Sequence, residues 1–203
     1  MKNNIKHCIF QWIRIISPSL VFIGLKKLLK AVNGKIDLSV QSAILPEIME
    51  CAIMLIIVII LSLVYFRKSF LKHRSIPDLF RTVIVYLIIG AAAGWQISRF
   101  SGSAEPRLSD SALIFLTVCI LGPACEEIIY RGLIYESVAD AFGTVAAVTV
   151  STLLFACGHG TMRQVIFSVP VGLLLGILRK KESDIIAPII LHCAINTVVF
   201  FQW

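Results

Sequence analysis

Long apolar runs alternate along this chain with short polar breaks that are mostly basic, and the pattern predicts helices that cross a membrane. A spanning helix needs about 20 mostly apolar residues. The clearest run is Ile48–Phe66, closed by Arg67 and Lys68. Others are Thr82–Ile97, Ser111 to about Asp140, Thr144–His159, Met162–Leu178 and Ile185–Phe201. Cys8–Leu25 is a weaker candidate, interrupted by Arg14 and Pro18, and is expected either to anchor the chain or to lie in the membrane interface. Together the runs predict an all-α fold, a polytopic membrane helix bundle of about six to eight transmembrane helices. A turn is expected near Asp140–Gly143. Gly90–Gly94 and Gly172–Gly176 are small-xxx-small patterns that let helices approach closely, and packing within the bundle is their expected use rather than dimerisation.

Composition removes the soluble alternative. Of 203 residues, 58% are hydrophobic and 15% charged, with mean hydropathy +0.89. Soluble domains run to about 45–50% apolar and about 25% charged. A water-facing surface could not accommodate this sequence. No Pro-, Ser- or Gly-rich linker divides it, so one integrated membrane domain is expected.

The net charge of +7 does not point to nucleic acid. Its basic residues fall in short patches between apolar runs: Lys26, Lys27 and Lys30; Arg67, Lys68, Lys72 and Arg74; Arg179, Lys180 and Lys181. Such patches sit at membrane edges, and the last two agree on one cytoplasmic side. A bacterial cytoplasmic membrane is the expected location. The cysteines Cys8, Cys51, Cys119, Cys125, Cys157 and Cys193 show no CxxC spacing and read as buried thiols.

Ionisable residues within membrane helices cost roughly 2.5–3.5 kcal/mol each at mid-helix, so each one suggests a function. Here they gather in three places: Glu126-Glu127 with Arg131, His159 after Phe155, and His192 with Asn196. Glu127 and Arg131 are four apart, share an α-helical face and can pair. Glu126 is rotated about 100° from Glu127. A carboxylate in such a low-dielectric setting suits a general base working near neutral pH. His192 and Asn196 are also four apart and could both donate to one developing oxyanion. Counting about 1.5 Å per residue from the expected turn, Glu126 and His159 fall at similar depth. One shared site, in a cavity open to the cytoplasm, is the expectation.

These residues resemble the three motifs of the CAAX protease and bacteriocin-processing (CPBP, or Abi) family, which includes the type II CAAX prenyl endopeptidases. Glu126-Glu127-xxx-Arg131, Phe155-xxx-His159 and His192-xxx-Asn196 occur in order, with Arg131-Gly132 and Ala187-Pro-Ile-Ile-Leu-His192 as matching flanks. The resemblance covers roughly Ser109–Phe200. It divides the chain into variable N-terminal membrane helices, 1–107, and a catalytic core, 108–203.

The resemblance implies an intramembrane endopeptidase acting on a peptide or membrane-protein substrate. Glu126 would activate water and His159 would help hold or deprotonate it. Glu127 and Arg131 would be the supporting pair. His192 and Asn196 would stabilise the oxyanion, and Phe155 would shape the substrate pocket. The chain has no HExxH, so zinc would need Glu126, His159 and His192 gathered from separate helices, and the metal-free version is favoured. No GxGD or GxSxG motif supports another intramembrane protease chemistry, and Cys125 lacks a positive neighbour to activate it. Two other readings stay open: a non-catalytic bacteriocin-immunity membrane protein, and a small transporter relaying protons through Glu126 and the histidines.

Overall fold

The computed structural model describes residues 12–13, 15–17, 19–25, 27–28, 31, 51–57, 59–60, 63, 75–101 and 112–202. Among them there is no strand. The protein is all-α and of the membrane helix-bundle class. Helix α1 is Ile76–Ser101, α2 is Ala112–Phe142, α3 is Thr144–Cys157, α4 is Met162–Glu182 and α5 is Ile186–Phe201. Three of these are long and apolar enough to cross a membrane, over Ile76–Arg99, Ala112–Phe142 and Met162–Glu182. Shorter apolar helices run over Thr144–Cys157 and Ile186–Phe201. In the Ile48–Phe66 run, residues 51–57, 59–60 and 63 are helical. The basic patch Arg67–Arg74 lies outside the described residues, as do Cys8, Arg14, Pro18, Lys26 and Lys30 of the N-terminal run and its basic end.

Helix α1 runs six residues before and four beyond the predicted Thr82–Ile97, while the later helices keep their predicted limits to within about four residues. Helix α3 stops at Cys157 rather than His159: ψ at Gly158 opens to −7° and the bonding tightens, the Gly158 N–H being shared between Leu154 O and Phe155 O and the His159 N–H reaching Ala156 O, three residues back. Helix α4 continues through Arg179–Glu182, four residues beyond the predicted run Met162–Leu178. The turn is Ser183–Ile185, with Ser183 at φ 61° and the Asp184 carboxylate accepting the Ile186 N–H at 3.1 Å. The three basic residues therefore sit in the last turn of α4, where cations complement the helix dipole.

Helix α2 is not a uniform α-helix. It widens to π geometry over Leu116–Leu121 and again over Ile128–Ile134. Pro123 supplies a reason for the first: it has no N–H to donate to the preceding turn, and the ladder is carried instead by the Gly122 N–H reaching Thr117 O, five residues back.

The chain forms two compact units, each drawn from both halves of the sequence. One comprises Met1–Asp37 with Ile129–Gly176, the other Leu38–Ile128 with Ile177–Trp203. In the first, the end of α2 reverses into α3 through Gly143, whose φ of 83° and ψ of 169° place it where a side chain is strained. Ile15, Phe22, Ile134, Val138, Ala147 and Phe155 are buried there. A Cβ on Gly172 of α4 would meet Phe155 at 3.0 Å and Thr152 at 3.1 Å, so the glycine lets α4 lie directly on α3. In the second unit α1 packs along α5. A Cβ on Gly90 would fall 2.5 Å from Ala194 Cβ, and one on Gly94 2.8 Å from Ile195 O. Both glycine pairs thus serve packing within the chain, as expected from their spacing.

Candidate active site

The site residues fall in two groups, one in each unit. The second unit holds Glu126, Glu127, His192 and Asn196. Glu126 and Glu127 end the α-helical stretch Gly122–Glu127 of α2, immediately before its second π segment. His192 lies midway along α5. Glu127 is fully buried, with His192 and Glu126 at 3% and 8% exposure. Taking such groups from water costs several kcal/mol per ion unless they are paired. Pairing is what the geometry provides: His192 Nδ1 lies 2.9 Å from Glu127 Oε1. The other ring nitrogen, Nε2, faces Glu126 Oε2 at 3.9 Å, beyond a direct hydrogen bond.

Two more contacts fix the register of α5 on α2. Asn196 donates from Nδ2 to Val118 O at 3.1 Å, and Cys193 Sγ lies 3.9 Å from Ile120 O. Both carbonyls belong to the first π segment. One N–H of the Asn196 amide is therefore engaged by the backbone and the second is the one available to a substrate. Elsewhere in the same unit, Tyr86 of α1 donates its hydroxyl to Glu182 at 2.6 Å just before the start of α5, and Phe115 packs edge-on to Phe200 near the end of α5.

The first unit holds Arg131, Phe155 and His159, with Phe155 at the centre. The Arg131 guanidinium lies 4.6 Å from the centroid of its ring and donates from Nη2 to Gly172 O at 2.9 Å. Tyr130 meets the ring edge-on at 5.5 Å, and His159 at 5.0 Å. Phe155 is thus wedged among polar side chains that it orders. The half-buried His159 closes α3 by donating Nδ1–H to Phe155 O at 3.0 Å, since a carbonyl only accepts.

Four-residue spacing predicted a Glu127–Arg131 pair on α geometry. Residues 128–134 are π-helical, which changes the angle between positions four apart, and the structure adds partners that spacing did not offer: His192 for Glu127, and Gly172 O with the Phe155 face for Arg131. No short-range signal announced them, because 65 and 41 residues separate the hydrogen-bonded partners. Among the described residues, no three His, Cys, Asp or Glu side chains gather as a metal site.

Comparison with known proteins comes to the same stretch of chain. Residues 108–198 match the family model described as type II CAAX prenyl endopeptidase Rce1-like. A relative from Bacillus subtilis (strain 168), named "Putative membrane peptidase YdiL", is 26% identical over 87 residues. That alignment covers 43% of this chain, which spans only 36% of the length of the relative. No solved structure gives a significant match. One likeness is to a family described as endopeptidases, the other to a protein named as a membrane peptidase.

Proposed function

On the premise that residues 108–198 are an Rce1-like domain, we propose that this protein is an intramembrane endopeptidase that hydrolyses a peptide bond with a glutamate-activated water. The observation that carries the reading is the buried trio of Glu126, Glu127 and His192 inside that domain. Two carboxylates and an imidazole are costly to bury together, and structural pairing alone needs only one of the carboxylates.

Glu126 is the base. It removes a proton from water, and the resulting hydroxide attacks the scissile carbonyl. His192 through Nε2, and Asn196 through its second N–H, stabilise the tetrahedral oxyanion. Protonated Glu126 then passes its proton to the departing amine. The part given to His159, helping to hold or deprotonate the water, rests on the motif resemblance alone, as does the pocket role of Phe155. Arg131 supports Phe155 by the contacts above. A bacterial cytoplasmic membrane, cleavage near its cytoplasmic face, and a role in peptide maturation or bacteriocin self-immunity complete the proposal. They are supported by the basic end of α4 and by the resemblance.

The test is proteolysis by the purified protein in liposomes, on a library of apolar peptides, beside Glu126→Gln. Glutamine keeps the shape and removes the base, so cleavage should fall about 10²–10⁴-fold with folding intact. Near wild-type cleavage by Glu126→Gln overturns the mechanism. Loss of activity to a chelator would replace the metal-free version with a zinc-dependent one. Absence of any cleavage would favour the immunity-protein reading.

A further inference from the structure

Glu127 was assigned above only as a supporting residue, yet its geometry gives it a more specific task. Its Oε1 lies 2.9 Å from His192 Nδ1, and neither residue is more than 3% exposed. With Glu127 ionised, its oxygens only accept and the proton in this bond sits on Nδ1. The contacts of α5 hold the ring in place: Asn196 is anchored to Val118 O one turn onward, and Leu191 and Ala194 on either side of His192 seat against Gly90. The imidazole thus meets Glu127 through Nδ1 and faces Glu126 Oε2 through Nε2 at 3.9 Å.

We infer that Glu127 is a positioning residue that accepts the Nδ1–H of His192 and orients the ring, so that an Nε2–H is what His192 turns toward Glu126 and substrate. This rests on the endopeptidase reading for its catalytic meaning, and on geometry for the hydrogen bond itself. It separates the adjacent carboxylates by job. Glu126 meets water, while Glu127 orients the imidazole through its Nδ1–H, in the way a buried carboxylate orients an imidazole and supports its protonated form in other hydrolases.

The experiment is ¹⁵N magnetic resonance of the full chain in lipid, labelled at histidine, with His192→Gln used to assign the His192 signals. It needs no substrate. The expected result is a protonated Nδ1 whose signals shift in Glu127→Gln. A bare Nδ1, or a Nδ1 signal unchanged by Glu127→Gln, overturns the inference, and the first of these is read on wild-type protein even if the variant fails to fold. On any peptide that the wild type cleaves, Glu127→Gln should lower kcat about 10²–10⁴-fold with little change in KM. A loss confined to KM would overturn the positioning role. If no peptide is cleaved but Nδ1 behaves as expected, the enzyme reading fails and the hydrogen-bond assignment stands.

Discussion

Gly90→Ala is the sharpest test of how the packing of α1 on α5 supports the site. The added Cβ would lie 2.5 Å from Ala194 Cβ and 2.8 Å from Leu191 O, where ordinary contact begins at 3.4 Å. Restoring ordinary contact takes about 0.6–0.9 Å of separation. Leu191 O is backbone, so it cannot rotate away and α5 itself must move. Overpacking of this kind costs about 1–3 kcal/mol, against which helix propensity returns about 1 kcal/mol for Gly→Ala. The net expectation is a destabilisation of about 1–2 kcal/mol, or roughly 5–30-fold in the folded-to-unfolded ratio. The consequence reaches the site, because a shift of this size along the 2.9 Å Glu127–His192 bond would take it past hydrogen-bonding range. Denaturant unfolding in detergent measures the first effect and the His192 Nδ1 signal the second. Gly24→Ala is the control, a helical glycine whose Cβ would meet nothing within 4 Å, and it should be neutral or stabilising by up to about 1 kcal/mol. An unchanged or raised unfolding midpoint for Gly90→Ala would refute the argument.

Two further outcomes can be checked by the same unfolding assay. Phe155→Ala should cost about 3–5 kcal/mol, since it removes a buried ring that touches Tyr130, Arg131 and His159, and a loss below about 1 kcal/mol would show that those side chains hold their places without it. Gly143→Ala should cost about 1–3 kcal/mol through backbone strain alone, because φ is 83° and the space around its Cβ is open. Wild-type stability there would mean that the α2–α3 turn readily adopts another conformation.

The sequence alone determined the class of protein and most helix limits. Apolar runs are local features, and so are the breaks that end them, so Thr144, Met162 and Phe201 could be read off as helix boundaries and Gly143 as a turn. The ionisable residues stood out for the same reason, against an apolar background. Four-residue spacing also brought His192 and Asn196 to notice, but it could not say what they touch. That Asn196 gives an N–H to Val118 O, that Glu127 holds His192, and that Arg131 lies across Phe155 were decided by tertiary structure. Each depends on the packing of segments distant along the chain, and on two π-helical stretches that change the angular bookkeeping of α2. A rule based on 3.6 residues per turn is blind to both, because neither register between helices nor a widened turn leaves a periodic mark in the residues themselves.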